Sequence, residues 1–362
     1  MFKTQQCQTS PIPSMASVPS TTAHDDTTRH DGPSDGSLQC DRRALLVGGA
    51  SALATAGLAW LGWQSRPQTP VFLAGNQRYD QDLTRTIRDG LLATGLQPES
   101  LQGKRVLIKP NLVEPLRSAP QITTHPAVIV AAADVFRAWG ARVTVGEAPG
   151  HIRDTEMAVE ESGVREALVQ EKLSFADLNY EDVRWVRNRG RASKLDGFYF
   201  PLSVATADLI VSIPKLKCHH WVGMTAALKN MYGVIPGIVY GWPKNVLHHA
   251  GIPETIFDIN ASLPPMIGIV DGIVAMEGDG PIMGSAKEAG LIGISTNATA
   301  LDATLARAIG LAPDRMNYLK LANRRLGPIA ERSIVQRGDT LQACYDPFYV
   351  IDKLHLQCLR ST

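Results

Sequence analysis

The stretch KLKCHHWVGMTAALKN, from Lys215 to Asn230, holds three lysines, two adjacent histidines, a cysteine and a tryptophan, and no carboxylate. The acid-free window is wider. From Leu209 to Pro253 there is no Asp or Glu, yet Lys215, Lys217, Lys229, Lys244, His219, His220, His248 and His249 all fall inside it. Four of the chain's nine histidines are therefore concentrated where nothing of opposite sign accompanies them. Ammonium groups beside the backbone N–H groups of a helix start hold carboxylate or phosphate. Imidazole gives and takes protons near neutral pH, and a neighbouring ammonium disfavours its charged form, which suits a base. His219, Lys217 and Lys229 are thus the candidate catalytic groups. Lys215, Thr225 and Asn230 are candidate anion-binding groups in the same stretch. A solvated basic loop is the plainer reading, but Trp221, Met224, Met231 and Tyr232 favour burial.

Other chemistry-bearing residues follow apolar runs. Lys109 and Asn111 stand in KPN after RVLI and join the candidate anion site. Glu147 and His151, in GEAPGH, read as a loop acid and a surface histidine. Cys218 beside His219 suggests a thiol nucleophile, although chain neighbours rarely align a thiolate with its base. Asp271, Glu277 and Asp279 in VDGIVAMEGDGP form an acidic counterpart. Three carboxylates suit a divalent cation, and the same glycine-rich text suits ordinary turns. Asp302, inside TALDATLARAIG, reads as a structural cap or ion-pair partner.

The elements that must position these residues alternate. Leu83, Ile87 and Leu91 give an amphipathic helix that stops near Gly95. RVLIKP is a buried strand. The helix THPAVIVAAADVFRAWG follows, with Thr124 as the expected cap, Pro126 in the first turn and Gly140 at the end. RVTVGE is the next strand. Helical text broken at Gly163, the strand ADLIVSIPK (207–215), helices at MTAALKNMYG and PETIFDINASL, strands at PMIGIVDG and LIGIST, and helices at 298–309 and 316–326 complete the pattern. The expected fold class is α/β: layered, mainly parallel sheet with flanking helices, Rossmann-like. In such sheets ligands collect at the carboxyl ends of strands.

The expected organisation is a disordered leader at 1–41, a twin-arginine signal or membrane anchor at 42–63, a linker at 64–75, an α/β domain at 76–330 and a C-terminal extension at 331–362. Arg42 and Arg43 precede an uncharged run over 44–63, which fits a twin-arginine export signal or a membrane anchor. A formal net charge of +1 provides no field for nucleic acid, and no recognition motif is present. Cys7, Cys40, Cys218, Cys344 and Cys358 form no C-x-x-C pair, so there is no iron–sulphur motif; Cys344 and Cys358 are spaced so that pairing stays open.

Taken in order, KPN, IPKLKCHH, MTAALKN, GVIPG, IVDGIVAMEGDGP and ALDATLARAIG resemble the family known as domain of unknown function 362, from about Arg105 to Leu311. Relatives in that family often carry ferredoxin-like modules, which this chain lacks. The family's usual Lys-x-Lys-Thr-His is here Lys215-Leu216-Lys217-Cys218-His219. The resemblance implies a shared set of Lys109, Asn111, Lys215, Lys217, His219, Thr225, Lys229, Asn230, Asp271, Glu277 and Asp279, and no reaction. The expectation is an exported enzyme, periplasmic or anchored at the outer face of the inner membrane. It would depend on a cofactor or a divalent metal and act on an anionic small molecule, with the twin-arginine export machinery as partner. The competing class is a non-catalytic envelope binding protein for an anionic ligand or cofactor.

Overall fold

The computed structural model describes residues 68–361, apart from Ile152. The leader, the arginine pair and the apolar run at 44–63 lie outside the described residues, as do Cys7 and Cys40. No helix among the described residues is long and apolar enough to cross a membrane.

The strands are β1 (Thr69–Ala74), β2 (Arg105–Lys109), β3 (Arg142–Glu147), β4 (Ser174–Asp177), β5 (Val183–Arg187), β6 (Gly197–Pro201), β7 (Leu209–Ser212), β8 (Lys215–His219), β9 (Gly223–Thr225), β10 (Met266–Glu277), β11 (Ser285–Ser295) and β12 (Ile334–Gly338). The main sheet runs β12-β1-β11-β10-β7-β2-β3-β4, and β8 pairs with β10 and β9. β10, β7, β2, β3 and β4 are mutually parallel, and β11 runs against both β10 and β1. β5 and β6 form a separate antiparallel hairpin.

The central strands are apolar on both faces, as parallel strands covered by helices must be. Val106 and Ile108 of β2 pack into one cluster with Leu83, Ile87, Leu91, Val128 and Phe136. Leu107 of the same strand belongs to the other cluster, with Ile210, Ile256, Leu301 and Leu305. Helices therefore cover the sheet on both sides, which is the expected α/β layering. Helix Leu83–Ala93 is capped by Asp82, which accepts from the Arg85 N–H, and the chain turns out of it at Gly95 with φ +87°. It lies close on the sheet: a Cβ at Gly90 would come within 2.6 Å of Ile294 and 2.7 Å of Phe72.

Several boundaries differ from expectation. The linker expected at 64–75 contains β1, and the extension expected at 331–362 contains β12, because these two segments pair with each other in parallel at one sheet edge. Helix Pro126–Ala138 is capped by His125, whose Nδ1 accepts from the Ala127 N–H at 3.2 Å. Thr124 instead donates to the Ile213 carbonyl at 2.6 Å and accepts from the Asn111 N–H at 2.8 Å, tying two strand ends together. The strand expected at 207–215 is interrupted around Pro214, which has no N–H for a ladder. β7 and β8 each pair with β10 in parallel, one beyond the other. The helix expected from Met224 begins only at Ala227, since Gly223–Thr225 is β9. The one expected at 316–326 covers Asn317–Ala322.

Candidate functional site

The basic stretch is a strand, and its register decides what the site contains. Side chains alternate across a strand. Leu216 and Cys218 of β8 enter the core cluster, so Lys215, Lys217 and His219 share the other face. β9 folds back with Thr225 opposite Lys217 and Gly223 opposite His219. The carboxyl ends of β2, β3 and β7 bring Lys109, Glu147 and Ser212 to the same end of the sheet.

Two of the expected anion-binding lysines already have partners. Lys109 Nζ lies 2.5 Å from Glu147 Oε2 and 3.0 Å from Asn230 Oδ1, and the lysine and glutamate side chains are 0% and 2% exposed. Glu147 also accepts from the backbone N–H groups of Leu112 and Ala148. Lys215 Nζ lies 2.7 Å from Asp271 Oδ2, with both side chains fully buried. Asp271 also accepts from the Tyr79 hydroxyl and the His125 N–H, each at 3.0 Å. Lys109 and Lys215 are thus neutralised in place and do not line the cavity. Asn230 links Lys109, Asn111, the Lys109 carbonyl and Ser212, so it positions the site.

What remains is a cavity of about 180 Å³ beside these pairs. Lys217, Lys229, Lys244, His219, His248 and Trp221 line it, with Thr225, Asn111, Glu147 and His151. Lys217 is 0% exposed, and its only described partner is the Pro281 carbonyl at 3.3 Å. Lys244 donates to the carbonyls of Ala148 and Tyr232, both at 2.7 Å, from a backbone in the left-handed region at φ +67°. Among the described residues, none of these three lysines has a carboxylate within ion-pair distance. Burial, with Lys215 and Lys229 adding repulsion, holds the Lys217 ammonium well below its ordinary range. Burial, with Lys109 nearby, lowers Lys229 to about 7. Burial likewise lowers Lys244 to about 7, against the opposing pull of Glu147.

His219 is held neutral for the same reasons: burial first, then Lys229 and His220. Its Nδ1 accepts from the Trp221 N–H at 3.1 Å. A neutral ring whose Nδ1 is an acceptor carries its hydrogen on Nε2. His219 therefore presents an N–H donor, which corrects the expectation of a base. Cys218 points into the core, and burial pushes its thiol up to about 12, so it is no nucleophile. Cys344 and Cys358 are both free thiols.

The three carboxylates expected to hold a metal go to separate partners: Asp271 to Lys215, Glu277 to the Tyr349 N–H at 2.8 Å, and Asp279 to His220 Nδ1 at 3.1 Å. Among the described residues no group of three or more His, Cys, Asp or Glu side chains is placed to hold a metal ion. Lys244, His248, Glu147 and His151 complete the lining and were not among the candidate residues. The acid-free window contains the first two, and the others stand in GEAPGH after a strand, where they read as a loop acid and a surface histidine.

Asp302 takes the structural role expected of it. Its carboxylate accepts from the N–H groups of Ala227 at 2.8 Å and Leu228 at 3.1 Å, at the start of the short helix that carries Lys229. Burial raises its carboxyl to about 7 even with both N–H groups opposing. Asp302→Ala leaves two buried donors unpaired and is expected to lower stability by about 1–3 kcal/mol. Urea denaturation measures it, and an unchanged midpoint would remove Asp302 from this role.

The family described as Domain of unknown function (DUF362) matches over residues 106–307. A thylakoid-associated protein of Synechocystis is 29% identical over 230 residues, which cover 62% of this chain and 68% of that protein. The lactate racemase apoprotein of Thermoanaerobacterium thermosaccharolyticum superposes with a TM-score of 0.38 and 16% identity. The superposition covers 57% of this chain and 51% of that one, so the chain spans about half the length of that structure.

Proposed function

The chain belongs to the family described as Domain of unknown function (DUF362), and we propose that this member is an enzyme acting on a small anionic molecule. The observation that carries this reading is Lys217: fully buried, lining a cavity, and without a carboxylate among the described residues. Burying an uncompensated ammonium is costly unless a partner arrives. A carboxylate or phosphate between Lys217, Lys229 and Lys244 is that partner. Asn111 Oδ1 adds a constraint, since it is buried and has no hydrogen-bond partner among the described residues. The anion that fits also carries a donor, such as a hydroxyl. His219 donates from Nε2 to an oxygen of the ligand, and Lys229, with an ammonium that loses its proton near neutral pH, exchanges protons with it. The arginine pair with its following apolar run, and a relative described as thylakoid-associated, support an exported or membrane-proximal location.

The reading fixes a pH dependence. Lys229 and Lys244 have folded-state values near 7, against an ordinary 10.5. A depressed lysine contributes stability that is present above its unfolded value and lost as pH falls through the folded one. Without ligand, the pair therefore makes the protein more stable on going from about pH 7 to about pH 10. A bound anion favours the ammonium forms, so binding takes up protons and affinity falls as pH rises above 7. Titration calorimetry with small carboxylates and with inorganic phosphate, in buffers of different ionisation heat, measures both effects. Saturable binding with proton uptake is expected; no saturable binding of any small anion would sink the reading. His219→Gln should keep binding and lose turnover, whereas a carrier would show no turnover in either form.

A further inference from the structure

Among the described residues, one of the amines in and around the cavity has no hydrogen-bond or ion-pair partner. Lys109 is held by Glu147, Lys215 by Asp271, Lys217 by the Pro281 carbonyl, and Lys244 by the carbonyls of Ala148 and Tyr232. Lys229 Nζ makes no hydrogen bond or ion pair among the described residues, and stands 3.9 Å from the centroid of the Tyr232 ring. Its helix does not drift. Asp302 fixes the first turn, and Asn260 Nδ2 donates to the Leu228 carbonyl at 2.9 Å. Lys229 therefore presents a positioned amine to the cavity it lines.

We infer that Lys229 is a nucleophile that forms an imine with a small carbonyl compound bearing a carboxylate or phosphate. This rests on the anion reading above and narrows it to a substrate class. The nitrogen lone pair attacks the carbonyl carbon and a C–N bond forms. The carbonyl oxygen takes the proton that the attacking nitrogen sheds and becomes a hydroxyl. The hydroxyl takes a second proton, from solvent, and leaves as water as the C–O bond breaks, giving a protonated imine whose nitrogen keeps its remaining hydrogen. No electrons are gained or lost, so no co-reactant is required.

The surroundings suit each stage. A desolvated lysine beside other cations stays unprotonated enough to attack, and burial with Lys109 nearby brings Lys229 into that regime. The neutral His219 ring offers Nε2–H to the carbonyl oxygen, raising the electrophilicity of its carbon. Lys217 and Lys244 hold the anionic group and place the carbonyl within reach. Asn111 Oδ1, otherwise unpaired, accepts from the hydroxyl of the addition intermediate. The plainer role for Lys229 is a cation–π contact with Tyr232, which needs the charged form and no reaction.

Trapping separates the two roles. The full chain is treated with glyoxylate and cyanoborohydride, then analysed by intact mass and peptide mapping, with anion-induced thermal shift measured in parallel using inorganic phosphate and acetate. The expected result is one reduced adduct per chain, located on Lys229, and slowed by saturating phosphate. Lys229→Arg keeps the positive charge but offers no nucleophilic amine, so it should retain the thermal shift and lose the adduct. No adduct, adducts scattered over surface lysines, or an unchanged adduct in Lys229→Arg would overturn the inference. A thermal shift without an adduct removes the imine and leaves the anion reading standing. An adduct on Lys229 without a thermal shift supports the nucleophile and removes the anion reading.

Discussion

Glu147→Gln lowers folding stability by about 3–5 kcal/mol, the usual result of removing one partner from a buried ion pair. Lys109 has no water to turn to: it and Glu147 are 0% and 2% exposed, and Asn230 is its only other side-chain partner among the described residues. The glutamate oxygens also satisfy the N–H groups of Leu112 and Ala148, so the loops after β2 and β3 loosen together. Gly233 leaves no slack, since a Cβ there would collide with both Lys109 and Glu147. The loss is a large share of the roughly 5–15 kcal/mol that holds a domain folded. Urea denaturation measures it, with Lys109→Met/Glu147→Leu as the control. The double variant should recover only part of the loss: it buries no charge, but it leaves the Leu112 N–H without an acceptor. A single variant within about 1 kcal/mol of the parent would show that the pair is not a structural keystone.

Lys217→Met moves stability and binding in opposite directions. Lys217 is fully buried without a carboxylate partner, so an apolar chain of similar length is better tolerated in the ligand-free protein. Its melting temperature should rise by a few degrees, as happens when a strained functional site is relieved. Anion affinity should fall by on the order of 100-fold, equivalent to losing a buried charge partner in a complex. The comparison is a thermal melt and a calorimetric titration on both proteins. A variant that is both less stable and unchanged in binding would place Lys217 in the scaffold and remove it from the site.

The α/β layering was readable because apolar runs and helix periods are local. So were the acid-free window and the order of motifs around it. The pairings were not. Lys109 and Glu147 are 38 positions apart, Lys215 and Asp271 are 56 apart, and Tyr79 reaches Asp271 across 192. Nothing in a single strand end says which lysine is neutralised by which distant acid. The same limit hid Glu147: alone after a strand it resembles a solvated loop acid, and its function lies in a partner that sequence does not place. KLKCH has the alternation of a half-exposed strand, yet the core takes one of its faces and the walls of the cavity enclose the other. Tertiary context, not local pattern, also turned His219 from an expected base into a donor, because the deciding contact is the Trp221 N–H folded back onto its ring.

The pairing of β1 with β12 has a consequence in time. The first described strand cannot complete its ladder until a segment 260 positions later exists (Ala74 to Ile334), so a growing chain carries an unfinished sheet edge until that segment is made. At roughly 5–20 residues per second that interval is on the order of tens of seconds. The late segment also reaches the site: the Tyr349 N–H donates to Glu277, and His355 bonds the His220 carbonyl at 2.9 Å. The hairpin bearing Lys217 and His219 is therefore buttressed late, and a nascent chain stalled before Ile334 would present an open, sticky edge instead of a closed pocket.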